Sequence, residues 1–417
     1  MNIWIIDHYS VPVKYYPLAR QRNFARYLME KGHEVTIFCA SSVHNSTLNL
    51  IEDNRKYIEV YEDGIHYVIV KCHQYEGNGI KRVFNMLEFA IKFPGILGKF
   101  DKPQAIISTS MTQFACAQGI RLARKYNCKV VAQITDLWPE ALVSCGFLNK
   151  RNPIIYLLRM LEKWTYKNAD SLIFSMEGAY DYICSRRWQN TIPKEKVNYI
   201  NNGVDLDEFN YNKENCITNL EILNDKDVFK VVYTGSIRHD NNVGKILDVG
   251  KKLSDKKIVV LLFGQGDQIE ELKGRIRNEK INNVYFLGNV EKKYIPYIVS
   301  KADLNFAHNS GVELFKYGIS MNKIFDYFAA GKPIITDFEC AYNPVVQEKA
   351  GVNVPSGDLE EIAAAIYQMS MLSKADYEVY CDNSIKAAKK YDFKRLTDTL
   401  ENVIYDCFAN KKNTYKF

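Results

Sequence analysis

The stretch Gly318-Ile319-Ser320-Met321-Asn322-Lys323-Ile324-Phe325-Asp326-Tyr327-Phe328-Ala329-Ala330-Gly331-Lys332-Pro333 decides how this chain is read. It predicts a turn, a short buried helix, a glycine stop and a proline entering an apolar strand. Ser320 is expected to cap the helix by accepting a hydrogen bond from a free N–H near Asn322 or Lys323. Gly331 suits the left-handed residue that closes a helix, and Pro333 forbids its continuation. Free N–H groups at such a helix start attract phosphate, and Lys323 adds a positive charge in the same turn. Asp326, three residues on, shares a face with Lys323. A carboxylate there can grip a ribose diol while the helix end holds a diphosphate, which reads as a nucleotide-sugar clamp. The plainer alternative for Asp326 is a solvated carboxylate paired with Lys323.

Around this stretch, short apolar runs alternate with amphipathic segments, the pattern of parallel βαβ units. Strands are expected at Ile3–Ile6, Val35–Phe38, His66–Val70, Ala105–Ser108, Lys129–Gln133 and Ser171–Phe174. A polar stretch from Asn201 to Asp227 separates these from a second series at Phe229–Tyr233, Ile258–Phe263, Val284–Phe286, Leu304–Ala307 and Pro333–Thr336. A chain of 417 residues is too long for one ordinary core, so two domains of about 200 residues are expected. The boundaries are set at 1–200 and 201–392, with 393–417 as a C-terminal helix packing back toward the first domain and a polar, frayed tail. Two doubly wound α/β domains in tandem place ligands at the carboxyl ends of their strands.

Composition narrows the function. With 47% hydrophobic and 25% charged residues the chain is globular, and no uncharged apolar run long enough for a membrane span occurs. The opening Met1-Asn2-Ile3-Trp4-Ile5-Ile6-Asp7 reads as a strand and not as a signal peptide. Ten scattered cysteines without a Cys-x-x-Cys pair point to neither zinc nor a disulfide framework, and a cytoplasmic setting is expected. Net charge is +6 without dense Lys/Arg tracts, so no nucleic-acid partner is expected.

Two further strand ends suit phosphate. Tyr233-Thr234-Gly235-Ser236-Ile237-Arg238 puts a glycine turn and an arginine after a buried strand, where Arg238 can pair a phosphate bidentately or simply be solvated. Phe263-Gly264-Gln265-Gly266-Asp267 is a second such turn, or only a tight one.

In this order the pieces resemble the retaining glycosyltransferases of family 4, with the GT-B fold of two Rossmann-like domains facing across a cleft. The matching landmarks are Gly32-His33-Glu34-Val35, Asp136-Leu137-Trp138-Pro139-Glu140, and Asn202-Gly203-Val204-Asp205 with Phe209. They continue through Tyr233-Thr234-Gly235, Gly264-Gln265-Gly266, Phe286-Leu287-Gly288-Asn289-Val290, the opening stretch and Val354-Pro355-Ser356-Gly357-Asp358. The Asp-Leu-Trp-Pro-Glu loop and the Gly-Ile-Ser-x-Asn-Lys turn are similar to those of bacterial O-antigen and capsule N-acetyl-L-fucosaminyl transferases.

The resemblance implies a donor site in the second domain. Arg238, Lys323 and the helix start would hold the diphosphate, next to Gly235 and Ser236, and backbone at Asn289 and Val290 would hold the base. Asp326 would take the ribose. The family usually carries a pair of glutamates here; the second aligns with Asp326, and the first falls on Gly318, which has no side chain. Backbone of Gly318, Ile319 and Ser320, with Met321 and Asn322, would then hold the donor sugar. In the first domain Asp136 either orients the acceptor hydroxyl or caps the next turn. Trp138 and Pro139 are read as loop packing. His8, Lys14, Arg20 and Arg22, in place of a glycine loop, are assigned to the acceptor side.

The implied reaction moves a sugar from a UDP-linked donor, an N-acetylated or deoxy sugar included, to a lipid-linked glycan of a bacterial surface polysaccharide. No metal and no cofactor is expected. Alternatives are a non-catalytic nucleotide-sugar-binding subunit and a nucleotide-sugar epimerase. Lys81–Lys102 reads as a basic amphipathic stretch, either lying on an anionic membrane at the inner face of the plasma membrane or packing one face on the core. The Leu and Ile spacing of Arg151–Asn168 is assigned to the core.

Overall fold

In the computed structural model, residues 1–409 are described except Leu18, Asn78 and Cys145. The tail read as frayed, from 410 on, lies outside the described residues, as does Leu18 of the Pro-Leu-Ala-Arg segment. The chain divides into two units, Met1–Asn201 with the C-terminal helix, and Asn202–Asp392.

The first unit is built on β1 (Asn2–Ile6), β2 (Glu34–Ala40), β3 (Tyr57–Glu62), β4 (Ile65–Val70), β5 (Ala105–Thr109), β6 (Lys129–Ile134), β7 (Ser171–Phe174) and β8 (Val197–Tyr199). They form one sheet in the order β3-β4-β2-β1-β5-β6-β7-β8. All neighbours are parallel except the β3–β4 edge pair. Buried on both faces, the inner strands are continuous apolar runs, as parallel strands require. From Ile58 on, the edge strand β3 alternates half-buried and exposed side chains; neither it nor the three-residue β8 was expected from the sequence.

The C-terminal helix Phe393–Ala409 is part of this unit. Phe393, Leu396, Leu400, Val403, Ile404 and Cys407 join the core that contains Phe24 and Leu28. Glu401 closes the contact by accepting from Lys31 at 3.0 Å and meeting His33 at 2.8 Å.

The second unit holds β9 (Phe229–Thr234), β10 (Ile258–Phe263), β11 (Val284–Gly288), β12 (Leu304–Ala307), β13 (Ile334–Thr336) and β14 (Gly351–Asn353), ordered β11-β10-β9-β12-β13-β14 and all parallel. The order reverses beside β9, the switch point where such sheets open toward a ligand. The stretch read as polar loop before β9 contains a helix, Leu206–Asn215, whose N-cap Asp205 accepts from Glu208 N–H. Its acidic, asparagine-rich sequence hid it from a periodicity argument. Each unit is therefore a doubly wound, Rossmann-like α/β domain.

Candidate active site

At the carboxyl end of β9 the backbone turns sharply through Gly235, at φ +152°. Gly235 N–H donates to the Phe263 carbonyl and Ile237 N–H to the Gln265 carbonyl, both at 2.9 Å, so the turns after β9 and β10 run against each other. A Cβ on Gly264 would sit 1.8 Å from the Gly235 carbonyl oxygen, and one on Gly266 would sit 1.9 Å from that of Ile237. The Gly-Gln-Gly segment is more than a tight turn: two backbones approach there too closely for any side chain.

The helix Asn322–Ala329 docks over this turn. Tyr327 anchors it, its hydroxyl oxygen accepting from Thr234 N–H at 2.9 Å and lying 3.0 Å from Thr234 Oγ1. One turn earlier, Lys323 Nζ lies 4.1 Å from the Tyr233 ring centroid. The ammonium is half-buried and forms no ion pair among the described residues. Loss of hydration lowers its pKa to about 7, with the buried Asp337 carboxylate opposing the shift. Arg238, exposed and without an ion pair among the described residues, follows the turn, and Ser236 is exposed beside it. The carbonyl of Ser236 accepts from Tyr233 OH at 3.0 Å.

Several expectations are corrected. Ser320 does not cap the helix: Met321 is the N-cap and makes no side-chain cap bond. The Ser320 hydroxyl instead accepts from Asn202 N–H at 3.4 Å, and the Asn202 amide donates to Asn322 Oδ1. No ion pair joins Lys323 to Asp326. Asp326 is half-buried. Dehydration raises its pKa to about 6, with nearby Lys292 lowering and Glu208 raising it. Gly318 lies at φ +111°, a conformation that disfavours the glutamate expected at this place. The Ile319 side chain is buried in the core, which leaves its backbone as the part expected to meet a donor. Asn289 is exposed and Val290 half-buried after β11. Gly331 closes the helix at φ +64°, as read.

In the first unit, Asp136 follows β6 and is exposed. Among the described residues its side chain caps no turn, while its carbonyl accepts from Trp138 N–H at 3.0 Å. Surrounding protein raises its pKa and Arg82 opposes this. Pro139 is buried and Trp138 half-buried, so the loop packs.

The basic acceptor-side candidates are mostly committed elsewhere. Arg20 donates to the carbonyls of Asn201 (2.7 Å) and Ile200 (2.9 Å). Arg22 is bound to Asp63 at 2.9 Å. His8 is fully buried between Tyr9 and Phe89, with Asn85 beside it. Burial pulls its pKa to about 3. Only Lys14 remains exposed, its ammonium over the Tyr15 ring.

Sequence reasoning missed Arg82, which donates from Nε to Tyr9 OH at 2.8 Å and acts on Asp136. It also missed Asn202 and Tyr327 as the residues that seat the donor-side helix. Their partners are 93 to 120 residues away in sequence, a separation that no local pattern reveals.

Two Rossmann-like units, with Lys323 and a glycine turn at the switch point of the second, make up the GT-B fold. Residues 21–208 match the model of Glycosyltransferase Family 4, and residues 228–371 that of Glycosyl transferases group 1. Each unit thus matches a glycosyltransferase family model, the first that of Family 4. An uncharacterized glycosyltransferase of Methanocaldococcus jannaschii is 22% identical over 52% of this chain, and the chain spans about half, 54%, of that relative's length. A probable glycosyltransferase of Pseudomonas aeruginosa is 21% identical over 70% of this chain and 72% of its own. The Anabaena protein HepE, solved in complex with UDP and glucose, shares the fold at 15% identity and a TM-score of 0.65, over 97% of this chain and 99% of its own.

Proposed function

We propose that the protein transfers a sugar, with retention, from a UDP-linked donor to a hydroxyl of a lipid-linked glycan in bacterial surface polysaccharide synthesis, on the cytoplasmic side of the membrane. The observation that carries the donor half is Lys323, a dehydrated ammonium that has no ion pair among the described residues and lies beside the side-chain-free Gly235. Such a group is costly to hold unless an anion completes it, and a diphosphate at a helix start has the right charge and shape. The UDP complex of HepE, a protein of the same fold, supports the nucleotide.

In this reading Lys323 and Arg238 stabilise the charge that develops on the leaving diphosphate, which itself takes the acceptor proton. No protein nucleophile is needed. Asp326, with a pKa raised to about 6, is a weaker ribose acceptor than a fully ionised carboxylate, so backbone at Gly318–Asn322 carries more of donor recognition. Asp136, exposed and uncommitted, orients the acceptor hydroxyl.

A panel of UDP- and GDP-sugars, followed by thermal shift and then by nucleotide release with a lipid-linked acceptor, tests this. Stabilisation by UDP-sugars and UDP release are expected. Saturable binding without release under any acceptor would favour the non-catalytic subunit, and no nucleotide binding would end the proposal.

A further inference from the structure

The helix Ile80–Lys92 turns Asn85, Met86, Phe89 and Ala90 inward. On the opposite side Ile80, Phe84 and Ile91 are 71%, 62% and 75% exposed. With Leu87 they recur at helical spacing as one apolar stripe facing away from the core. The helix Pro153–Asn168, whose spacing read as core, does the same: Ile154, Tyr156, Leu157 and Met160 are all more than half exposed, as is Phe147 just before it. Its inward side is taken instead by Ile155, Glu162, Thr165 and Tyr166. The helix Gln113–Tyr126 packs against both. A groove of about 400 Å³, lined by Leu87, Ile91, Phe114, Arg121 and Leu161, joins the two stripes. Contiguous apolar exposure of this kind marks an interaction site.

Charge around it is of one sign. The acidic groups of the two helices and the turn before the second are all engaged. Glu88 holds Lys92 and His73, and Glu140 holds Arg159 and Arg186. Glu162 is buried and accepts from the hydroxyls of Tyr166 and Tyr182 at 3.0 and 2.8 Å. Among the described residues, Lys81, Lys150, Arg151 and Lys163, on the same elements, form no ion pair. Protruding Ile, Leu, Phe and Tyr side chains with a cationic rim match the headgroup–acyl boundary of an anionic bilayer. A second copy of the chain fits less well, because it would oppose basic rim to basic rim.

We propose that this two-helix face seats the protein on an anionic lipid surface, its apolar side chains entering the boundary and Lys81, Lys150, Arg151 and Lys163 meeting lipid phosphates. The proposal does not depend on the transferase reading.

Co-sedimentation of the full chain with vesicles of phosphatidylcholine, with and without phosphatidylglycerol, tests it. The wild type should bind the phosphatidylglycerol vesicles and be released by salt. The paired variant Ile91→Glu, Leu157→Glu should bind at least about tenfold more weakly, with an unchanged melting temperature because both positions are exposed. Should that variant melt early, Phe84→Ser with Met160→Ser makes the same comparison. Equal binding to both vesicle types, or sedimentation of a folded variant like the wild type, overturns the proposal. So does a wild-type dimer in light scattering that the variant dissociates while vesicles bind neither.

Discussion

The ammonium of Lys323 occupies space beside the Tyr233 ring that exists because Gly235 has no side chain: a Cβ there would lie 2.7 Å from Lys323 Nζ and 3.0 Å from Tyr233 Oη. One residue supplies the charge and another, 88 positions earlier by subtraction of their numbers, supplies the room for it. A methyl group at Gly235 would force Lys323 off the ring.

Lys323→Ala should weaken UDP binding by on the order of 1.5–3 kcal/mol, about tenfold or more in Kd, measured by calorimetry. The sign with pH follows from the pKa near 7 against an ordinary 10.5. The unfolded chain holds the extra proton between those values, so this residue's contribution makes the free protein more stable as pH rises from 7 toward 10.5. UDP prefers the charged amine, so its affinity should be greatest below pH 7 and decline above it. A flat affinity from pH 6 to 9, or no loss in Lys323→Ala, would remove Lys323 from the donor site.

Gly264→Ala should cost both stability and UDP binding, since the new methyl meets the Gly235 carbonyl and the residue sits at φ +151°. A penalty of roughly 1–3 kcal/mol is expected from strain and overlap. Gly274→Ala, where nothing lies within 4 Å of the added carbon, is the control. Equal melting temperatures for the two variants would contradict the close-approach argument.

Asp136→Asn should leave UDP affinity and melting temperature unchanged and slow transfer by about 10²-fold. The side chain has no hydrogen bond among the described residues to lose, so a drop in stability would point to a packing role instead.

Arg20→Ala should destabilise the fold by on the order of 1.5–3 kcal/mol, because it removes charged donors from the Ile200 and Asn201 carbonyls. Arg22→Ala loses a partly exposed pair with Asp63, worth about 0–1 kcal/mol. Denaturant titration separates the two. A large loss of UDP affinity in Arg20→Ala, with stability intact, would return it to ligand binding.

His8 makes the fold acid-sensitive. Its pKa falls from an ordinary 6.5 to about 3 on folding, so the unfolded state takes up the proton between those values and stability declines as pH drops through that window. His8→Phe should narrow the difference between melting temperatures at pH 7 and pH 4.5. An unchanged difference would show that His8 is not the group responsible.

The parallel strands were legible because strands buried on both faces are unbroken apolar runs, as in Ile258–Phe263, and need no partner to be recognised. The glycine turns and the Asn322–Ala329 helix were legible for similar local reasons. Reading failed where a residue's role depends on what lies opposite. Ser320 has the composition of a cap, but Asn202 claims its hydroxyl. Arg20 and Arg22 have the charge for a phosphate, but the Asn201 carbonyl and the Asp63 carboxylate are nearer. Helix Pro153–Asn168 carries an apolar stripe that any periodicity argument assigns inward, and the inward side is filled by Ile155, Tyr166 and the buried Glu162 instead.

By itself, then, the sequence determined two doubly wound α/β domains and the stretch where a diphosphate is most easily held, because strand burial, glycine turns and helix starts are properties of neighbouring residues. The tertiary structure decided which charges remain free. Among the described residues Lys323 and Asp136 are left without ion pairs while Arg20, Arg22 and His8 are absorbed into the fold, since hydration and pairing depend on groups brought together from distant parts of the chain.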